Sequence, residues 1–135
     1  MKNSILTLAF AFFTFMSFAQ NNEHQLSSHI LDVSQGKPAT GVTIQLEKYN
    51  PKNKKWSVVD KKVTDNNGRV PDFLPADKVN TGIYKLTYFT QEYFQQQGTE
   101  SFYPFIDVIF EIKDENHYHV PITLSAFGYS TYRGN

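Results

Sequence analysis

The end of the chain, residues 117–135, carries side chains that could do acid–base chemistry. Its sequence, HYHVPITLSAFGYSTYRGN, contains two histidines, three tyrosines and one arginine. An imidazole has an ordinary pKa of about 6.5, so it can take up or release a proton near neutral pH. His117 and His119 are two residues apart, so on a strand both rings point to the same face. The spacing predicts a proton-transfer surface, and a pair of solvated surface histidines would show the same spacing.

Two further polar residues could join this chemistry. His29 precedes Ile30 in a stretch with strand character, and Arg69 directly follows the turn sequence Asp-Asn-Asn-Gly. Gly68 can adopt the positive φ that such a turn requires. The fork of a fixed guanidinium can hold an oxyanion or a planar heterocycle. Arg69 is therefore a candidate site residue, although an ordinary exposed arginine would have the same spacing.

Other site chemistries have weaker support. His29, His117 and His119 could in principle supply three zinc ligands. However, two-residue histidine spacing is a weak signal, and no recognisable metalloenzyme motif accompanies it. The chain has no cysteine and no nucleophile elbow, which argues against nucleophilic catalysis of the serine or cysteine type. We therefore predict no metal site.

The elements that must position these residues are mostly strands. Val42, Ile44 and Leu46 alternate with polar residues, and the same period recurs in 106–112. This pattern is typical of antiparallel sheets with one buried face. Further predicted strands, rich in β-branched and aromatic residues, are 28–33, 56–63, 82–89, 118–124 and 129–133. So many short strands separated by turn signals predict a β-sandwich.

The predicted strand 118–124 determines where the two C-terminal histidines lie. If Tyr118 and Val120 face the core, His117 and His119 face the other side. Pro121 cannot donate a hydrogen bond, which predicts an edge strand or a bulge here. A single short helix is predicted over 90–97, with a threonine as its N-cap and a glycine after its C-terminus.

The N-terminal residues have the pattern of a targeting signal. Lys2 precedes an almost uninterrupted apolar run over 5–18, and small residues precede a predicted cleavage after Ala19. The apolar run is short for a membrane span, and there is no cysteine to carry a lipid. We expect a signal peptide over 1–19, a disordered segment over 20–26 and a single domain over 27–135. This organisation predicts export to the periplasm, with no membrane contact after cleavage.

The charge balance of the predicted mature chain excludes one class of partner. Without Lys2 the chain keeps twelve lysines plus arginines against thirteen acidic residues. Nucleic-acid binding relies on clustered cations, so we predict no nucleic-acid partner. Because an exported chain without cysteine has no disulfides, its stability must come from burial, which subunit association would increase.

Several stretches together resemble the 5-hydroxyisourate hydrolases, the transthyretin-like enzymes of purine catabolism. The resemblance covers residues 27–135. That family ends in Tyr-Arg-Gly-Ser, which here reads Tyr132, Arg133, Gly134 and Asn135. The other stretches that carry the resemblance are SSHILDVSQGKPATGVTIQLEKY, TDNNGRV, FYPFIDVIFEI and HYHVPITLS.

The resemblance implies a fold, an activity and an assembly. The implied fold is all-β, a transthyretin-like eight-stranded antiparallel β-sandwich with one short helix. The implied assembly is a homotetramer, a dimer of dimers with sites in the channel between dimers. The implied reaction is ring-opening hydrolysis of 5-hydroxyisourate without a cofactor. The implied catalytic residues are His29, Arg69 and His119, with His117 in support, and the implied substrate-binding residues are Tyr132, Arg133, Gly134 and Asn135.

Two other functions stay open at this point. A binding module could keep the tetramer channel and hold an aromatic ligand, as the hormone-carrying transthyretins do. A structural sandwich domain could use its exposed tyrosines as an interface. The chief departure from the hydrolases is Asn135, whose amide can form hydrogen bonds but lacks the hydroxyl of the terminal serine.

Overall fold

The computed structural model describes residues 23–135, so the predicted signal peptide, 1–19, and residues 20–22 lie outside the described residues. The predicted disorder over 20–26 is wrong from residue 24, because the first strand already begins at His24. The Gln25 side-chain amide donates to the carbonyl oxygens of Asp114 and Asn116, at 2.7 and 3.2 Å. Leu26 is fully buried. These contacts hold the start of the strand. Among the described residues, no helix has the length and apolar composition needed to cross a bilayer.

The described residues form nine strands and one helix, and eight of the strands are longer than two residues. In chain order they are β1 (His24–Asp32), β2 (Lys37–Pro38), β3 (Thr43–Asn50), β4 (Lys55–Val63), β5 (Arg69–Pro75), β6 (Gly82–Tyr88), α1 (Thr90–Gln96), β7 (Ile106–Ile112), β8 (Tyr118–Ser125) and β9 (Gly128–Thr131). The eight longer strands and the helix confirm the transthyretin-like sandwich. The two-residue β2 is an addition that pairs with the end of β1.

The strands form two sheets. One has the order β2-β1-β8-β9, with β5 also paired to β1, and the other has the order β4-β3-β6-β7. The prediction of purely antiparallel sheets is wrong for one pair, because β1 and β8 run parallel. Their partner residues Ser27 and His119 are 92 positions apart, so no tight hairpin forces them to be antiparallel. This parallel pair forms the centre of the sheet that carries the histidines.

The core lies between the two sheets and follows the predicted alternation. Ile44 and Leu46 of β3 belong to the same core cluster as Ile122 and Leu124 of β8, and all four are fully buried. Each such side chain contributes about 1.5–3 kcal/mol of burial free energy. The polar residues between them face outward, which leaves the outer face of β1 and β8 free for chemistry.

The helix lies where it was predicted, but its N-cap residue is not the predicted one. Phe89 is the N-cap residue and no side chain caps the helix, whereas the predicted cap, Thr90, lies inside the first turn. The buried Thr90 hydroxyl has no hydrogen-bond partner among the described residues. Gly98 follows the helix with φ of 68°, the conformation expected of a C-terminal glycine. The helix packs through Phe94, and Tyr93 donates to a carboxylate oxygen of Asp32 at 2.8 Å.

Candidate active site

The candidate site lies on the outer face of the five-stranded sheet, where β5, β1 and β8 are neighbours. His29 on β1 is registered with Arg69 on β5. Ser27, two residues earlier on β1, is registered with His119 on β8. Their neighbours Ser28 and the other inward residues of β1 are buried, whereas Ser27 and His29 are half-buried. The pleat therefore places the side chains of four residues on one face, Ser27, His29, Arg69 and His119.

A tight turn fixes the backbone beside Arg69. The amide of Gly68 donates to the carbonyl of Asp65 at 2.9 Å, and the carboxylate of Asp65 accepts the amide of Arg69 at 3.0 Å. Gly68 has φ of 68°, as predicted, and a Cβ at this position would lie 2.6 Å from the carbonyl oxygen of Ile30. Only glycine lets the turn approach β1 this closely. The turn thereby holds Arg69 next to the neighbouring histidine.

A chain of hydrogen bonds joins the two C-terminal histidines to β1. The Ser27 hydroxyl lies 2.8 Å from Nε2 of His117 and 2.8 Å from Nδ1 of His119. Nδ1 of His117 lies 2.9 Å from the carbonyl oxygen of His24. Both rings are therefore oriented by specific partners, which distinguishes them from freely rotating surface histidines.

The surroundings of His119 favour its neutral form. Burial lowers the pKa of His119, and the charges of Arg69, His29 and His117 lower it further. The contact of the ring with Ser27 acts in the opposite direction. A ring with a lowered pKa keeps a free lone pair at neutral pH, so His119 is available there as a base.

His29 has a similar environment. Burial lowers its pKa, the charge of Arg69 lowers it further, and a backbone contact with Asn67 and the charge of Asp65 partly oppose these effects. The strand register makes the three groups neighbours on this face, and Arg69 accordingly lowers the pKa of both imidazoles. The structure thus brings together His29, Arg69 and His119, the three predicted catalytic residues.

The C-terminal tail contacts His119 through Gly134. The amide of Gly134 donates to the carbonyl of His119 at 2.9 Å. A Cβ on Gly134 would lie 2.5 Å from Cδ2 of His119, so a larger residue would displace the ring. Pairing between β8 and β9 runs to Ile122 and resumes at the bridge between His119 and Gly134. Pro121 lies in this gap. The predicted edge strand is wrong because β8 lies between β1 and β9, and the predicted bulge is wrong because the register is the same on both sides of the gap.

Arg133 of the tail lies on the other face of β8 from the histidines. The Arg133 guanidinium lies 4.7 Å from the centre of the Tyr118 ring, and Tyr118 is a core residue on the opposite face of β8. Both residues line a cavity of about 300 Å³ beside β7. Tyr132 and Asn135 are exposed. Of the four predicted substrate-binding residues, Gly134 packs against His119 and Arg133 packs on the other face of β8.

One residue of this face was missed from the sequence. Ser27 lies between the two C-terminal histidines in space, and strand alternation from His29 would have placed it on the same face. The predicted strand began at residue 28, which left Ser27 out of consideration. Within residues 23–135, no group of three or more histidine, cysteine or acidic side chains is arranged to hold a metal ion.

The sequence matches one protein family along nearly all of the described residues. The model of the HIUase/Transthyretin family matches residues 26–134. A probable 5-hydroxyisourate hydrolase of Caenorhabditis elegans is 45% identical over 111 residues, which cover 82% of this chain and 81% of that relative.

Two solved structures share the fold. One is the 5-hydroxyisourate hydrolase of Klebsiella pneumoniae, with a TM-score of 0.69 and 34% identity over 83% of this chain and 94% of that one. The other is sea bream transthyretin in complex with thyroxine, with a TM-score of 0.76 and 27% identity over 82% of this chain and 94% of that one. Because the fold is common to both, the side chains of the site must distinguish their functions.

Proposed function

The chain belongs to the HIUase/Transthyretin family, and from that premise we propose that it hydrolyses 5-hydroxyisourate to 2-oxo-4-hydroxy-4-carboxy-5-ureidoimidazoline, a step of urate degradation. The observation that carries the proposal is the convergence of His29, Arg69 and His119 on one face of the sheet. Two neutral bases beside a cation whose backbone is held by a turn suit the attack of water on a ring carbonyl.

The proposed reaction uses each of the three groups. His119 takes a proton from water as the water oxygen bonds to the carbonyl carbon of the six-membered ring. Arg69 stabilises the negative charge that develops on the carbonyl oxygen. The ring carbon–nitrogen bond then breaks, and a proton delivered through His29 goes to the departing nitrogen. The products of this step are a carboxyl group and a ureido group, and no cofactor takes part.

The support for the tail residues differs from one to another. Gly134 packs against His119, which supports its place at the floor of the substrate site. The stacking of Arg133 on Tyr118 supports a role for Arg133 in anchoring the tail. We keep Tyr132, Arg133 and Asn135 as proposed substrate-binding residues on the basis of the family resemblance.

A homotetramer and export are part of the same proposal. Phe102 and Phe127 are 72% and 73% exposed, and Ile109 on the edge strand β7 is 61% exposed. Exposed apolar side chains of this size support contacts between subunits. The apolar run after Lys2 and the small residues Ser17 and Ala19 before Gln20 support cleavage of a signal peptide and delivery to the periplasm.

The binding-module alternative has less support. The TM-score with transthyretin shows a shared fold, and a pocket for an apolar ligand would need an apolar lining. The outer face of β1 and β8 instead presents two imidazoles within the influence of a guanidinium. These groups favour the hydrolase over the binding module.

The test follows the ultraviolet decay of 5-hydroxyisourate freshly generated from urate. We expect the protein of residues 20–135 to accelerate this decay, and His119→Ala and Arg69→Ala to remove most of the acceleration. Thr123→Ala on β8 and the exposed Lys37→Ala serve as matched controls and should keep the wild-type rate. Decay at the spontaneous rate with the wild-type protein would refute the proposed function. Full activity in the His119 or Arg69 variant would refute the assignment of that residue.

A further inference from the structure

We propose that Ser27, held by His117, is a positioning residue that keeps the proton of neutral His119 on Nδ1 and so leaves Nε2 free to act as the base. This inference rests on the proposed hydrolase function and deepens it. It assigns a role to the Ser27 hydroxyl, which lies between the two imidazoles. It also assigns a role to His117, which is not one of the three proposed catalytic residues.

The directions of the hydrogen bonds follow from one fixed acceptor. A backbone carbonyl can only accept, so Nδ1 of His117 must donate to the carbonyl of His24. Neutral His117 has one ring proton, so its Nε2 is an acceptor and the Ser27 hydroxyl donates to it. The Ser27 oxygen is then left to accept, and its other partner is Nδ1 of His119. The proton of neutral His119 therefore lies on Nδ1.

Among residues 23–135, Nε2 of His119 has no hydrogen-bond partner, whereas two other atoms of the ring are in close contact with neighbours. Nδ1 is occupied by Ser27, and Cδ2 is covered by the close approach of Gly134. The remaining edge, Cε1 and Nε2, is the edge farthest from the backbone. The charged and titratable groups that act on this ring are Arg69, His29 and His117. Nε2, the nitrogen without a partner, is therefore also the nitrogen that carries no proton in neutral His119.

The same arrangement suits the ring after it has taken a proton. When Nε2 accepts a proton from water, Nδ1–H remains on the other side and continues to donate to Ser27. No rotation of the ring or of the hydroxyl is needed during the step, so the cost of reorganisation is small. Without the hydroxyl, the neutral ring could place its proton on Nε2, where it would block the reaction.

The test compares Ser27→Ala, Ser27→Thr and the control Thr123→Ala. The control also removes a hydroxyl from this sheet, but one whose partner is the Ser130 hydroxyl and not an imidazole. We expect Ser27→Ala to lower kcat about tenfold to a hundredfold with KM within about twofold, because a positioned base contributes about 10²–10⁴ in rate. Ser27→Thr restores the hydroxyl and should recover most of kcat. Thr123→Ala should keep the wild-type value, and urea unfolding of each variant checks that it is folded.

A second measurement reads the proton directly. In protein labelled with ¹⁵N-histidine at about pH 8, the ring nitrogen shifts of His119 report which nitrogen carries the proton, and His119→Gln identifies its signals. We expect the Nδ1–H form in the wild type and an Nε2–H population in Ser27→Ala. An Nε2–H form in the wild type, or wild-type kcat in Ser27→Ala, would overturn the inference. An Nδ1–H ring in a protein that does not accelerate decay would support the tautomer assignment while refuting the hydrolase.

Discussion

Gly134→Ala should inactivate the protein while leaving it folded. The new Cβ would lie 2.5 Å from Cδ2 of His119, and ordinary contact begins at 3.4 Å, so the ring must retreat by about 0.9 Å. A misplacement of about 1 Å in a catalytic group can cost about 10²-fold in rate. We therefore expect kcat to fall about a hundredfold, which corresponds to about 2.7 kcal/mol of barrier.

Gly128→Ala is the matched control, because both glycines lie on the C-terminal hairpin and neither has a positive φ. The nearest atom to a Cβ on Gly128 is the Ser125 hydroxyl oxygen at 3.9 Å, so this variant should retain the wild-type rate. The assay is the decay of freshly generated 5-hydroxyisourate, with urea unfolding in parallel. A Gly134→Ala protein that is folded and has a rate within about twofold of the wild type would refute the claim that this contact positions His119.

Three further predictions concern the turn and the histidines. Gly68→Ala should lower the free energy of unfolding by about 2–4 kcal/mol, because it adds a backbone clash to a left-handed φ. Gly36→Ala, which has open space around it, should lower the free energy of unfolding by about 1 kcal/mol, and urea unfolding measures both. Because burial and Arg69 lower the pKa of His119, kcat/KM should fall only at pH values below 6.5, the ordinary pKa of an imidazole. Arg69→Gln should raise the pKa of His119 and so move this acidic limb to higher pH, and a pH–rate profile checks the direction. The unfolded chain binds more protons than the folded one as pH falls below 6.5, so the free energy of unfolding should decrease between about pH 7 and 5, and less so in His29→Gln.

The sandwich was predictable because its pattern is local. Val42, Ile44 and Leu46 alternate with polar neighbours in sequence, and the same residues are buried in the structure. The edge strand β5 was not predicted, because Pro71 and Pro75 within it argue against a strand. It forms through pairing with β1, a tertiary contact that no local pattern encodes. The parallel direction of β1 and β8 was missed for the same reason.

The candidate site divides in a similar way. Residue type and alternation were enough to place His119 on the outer face and to single out His29 and Arg69 as candidates, and family resemblance gave all three catalytic roles. Alternation along β1 also places Ser27 on this face. Its residue type did not single it out, because a lone hydroxyl is common on strands. Arg133 is separated from the histidines because it packs on Tyr118, on the other face of β8. The sequence of the tail does not show which face of β8 each of its residues will meet.

The parallel pair of β1 and β8 has a consequence for how the protein is made. Ser27 and His119 come from opposite ends of the described domain, 92 positions apart, so a ribosome must complete nearly the whole message before the two can meet. Contacts this distant in sequence slow folding. A product that terminates before residue 118 lacks β8 altogether and carries only half of the histidine face. Catalysis would thus require translation through β8, and no fragment that ends before residue 118 would have activity.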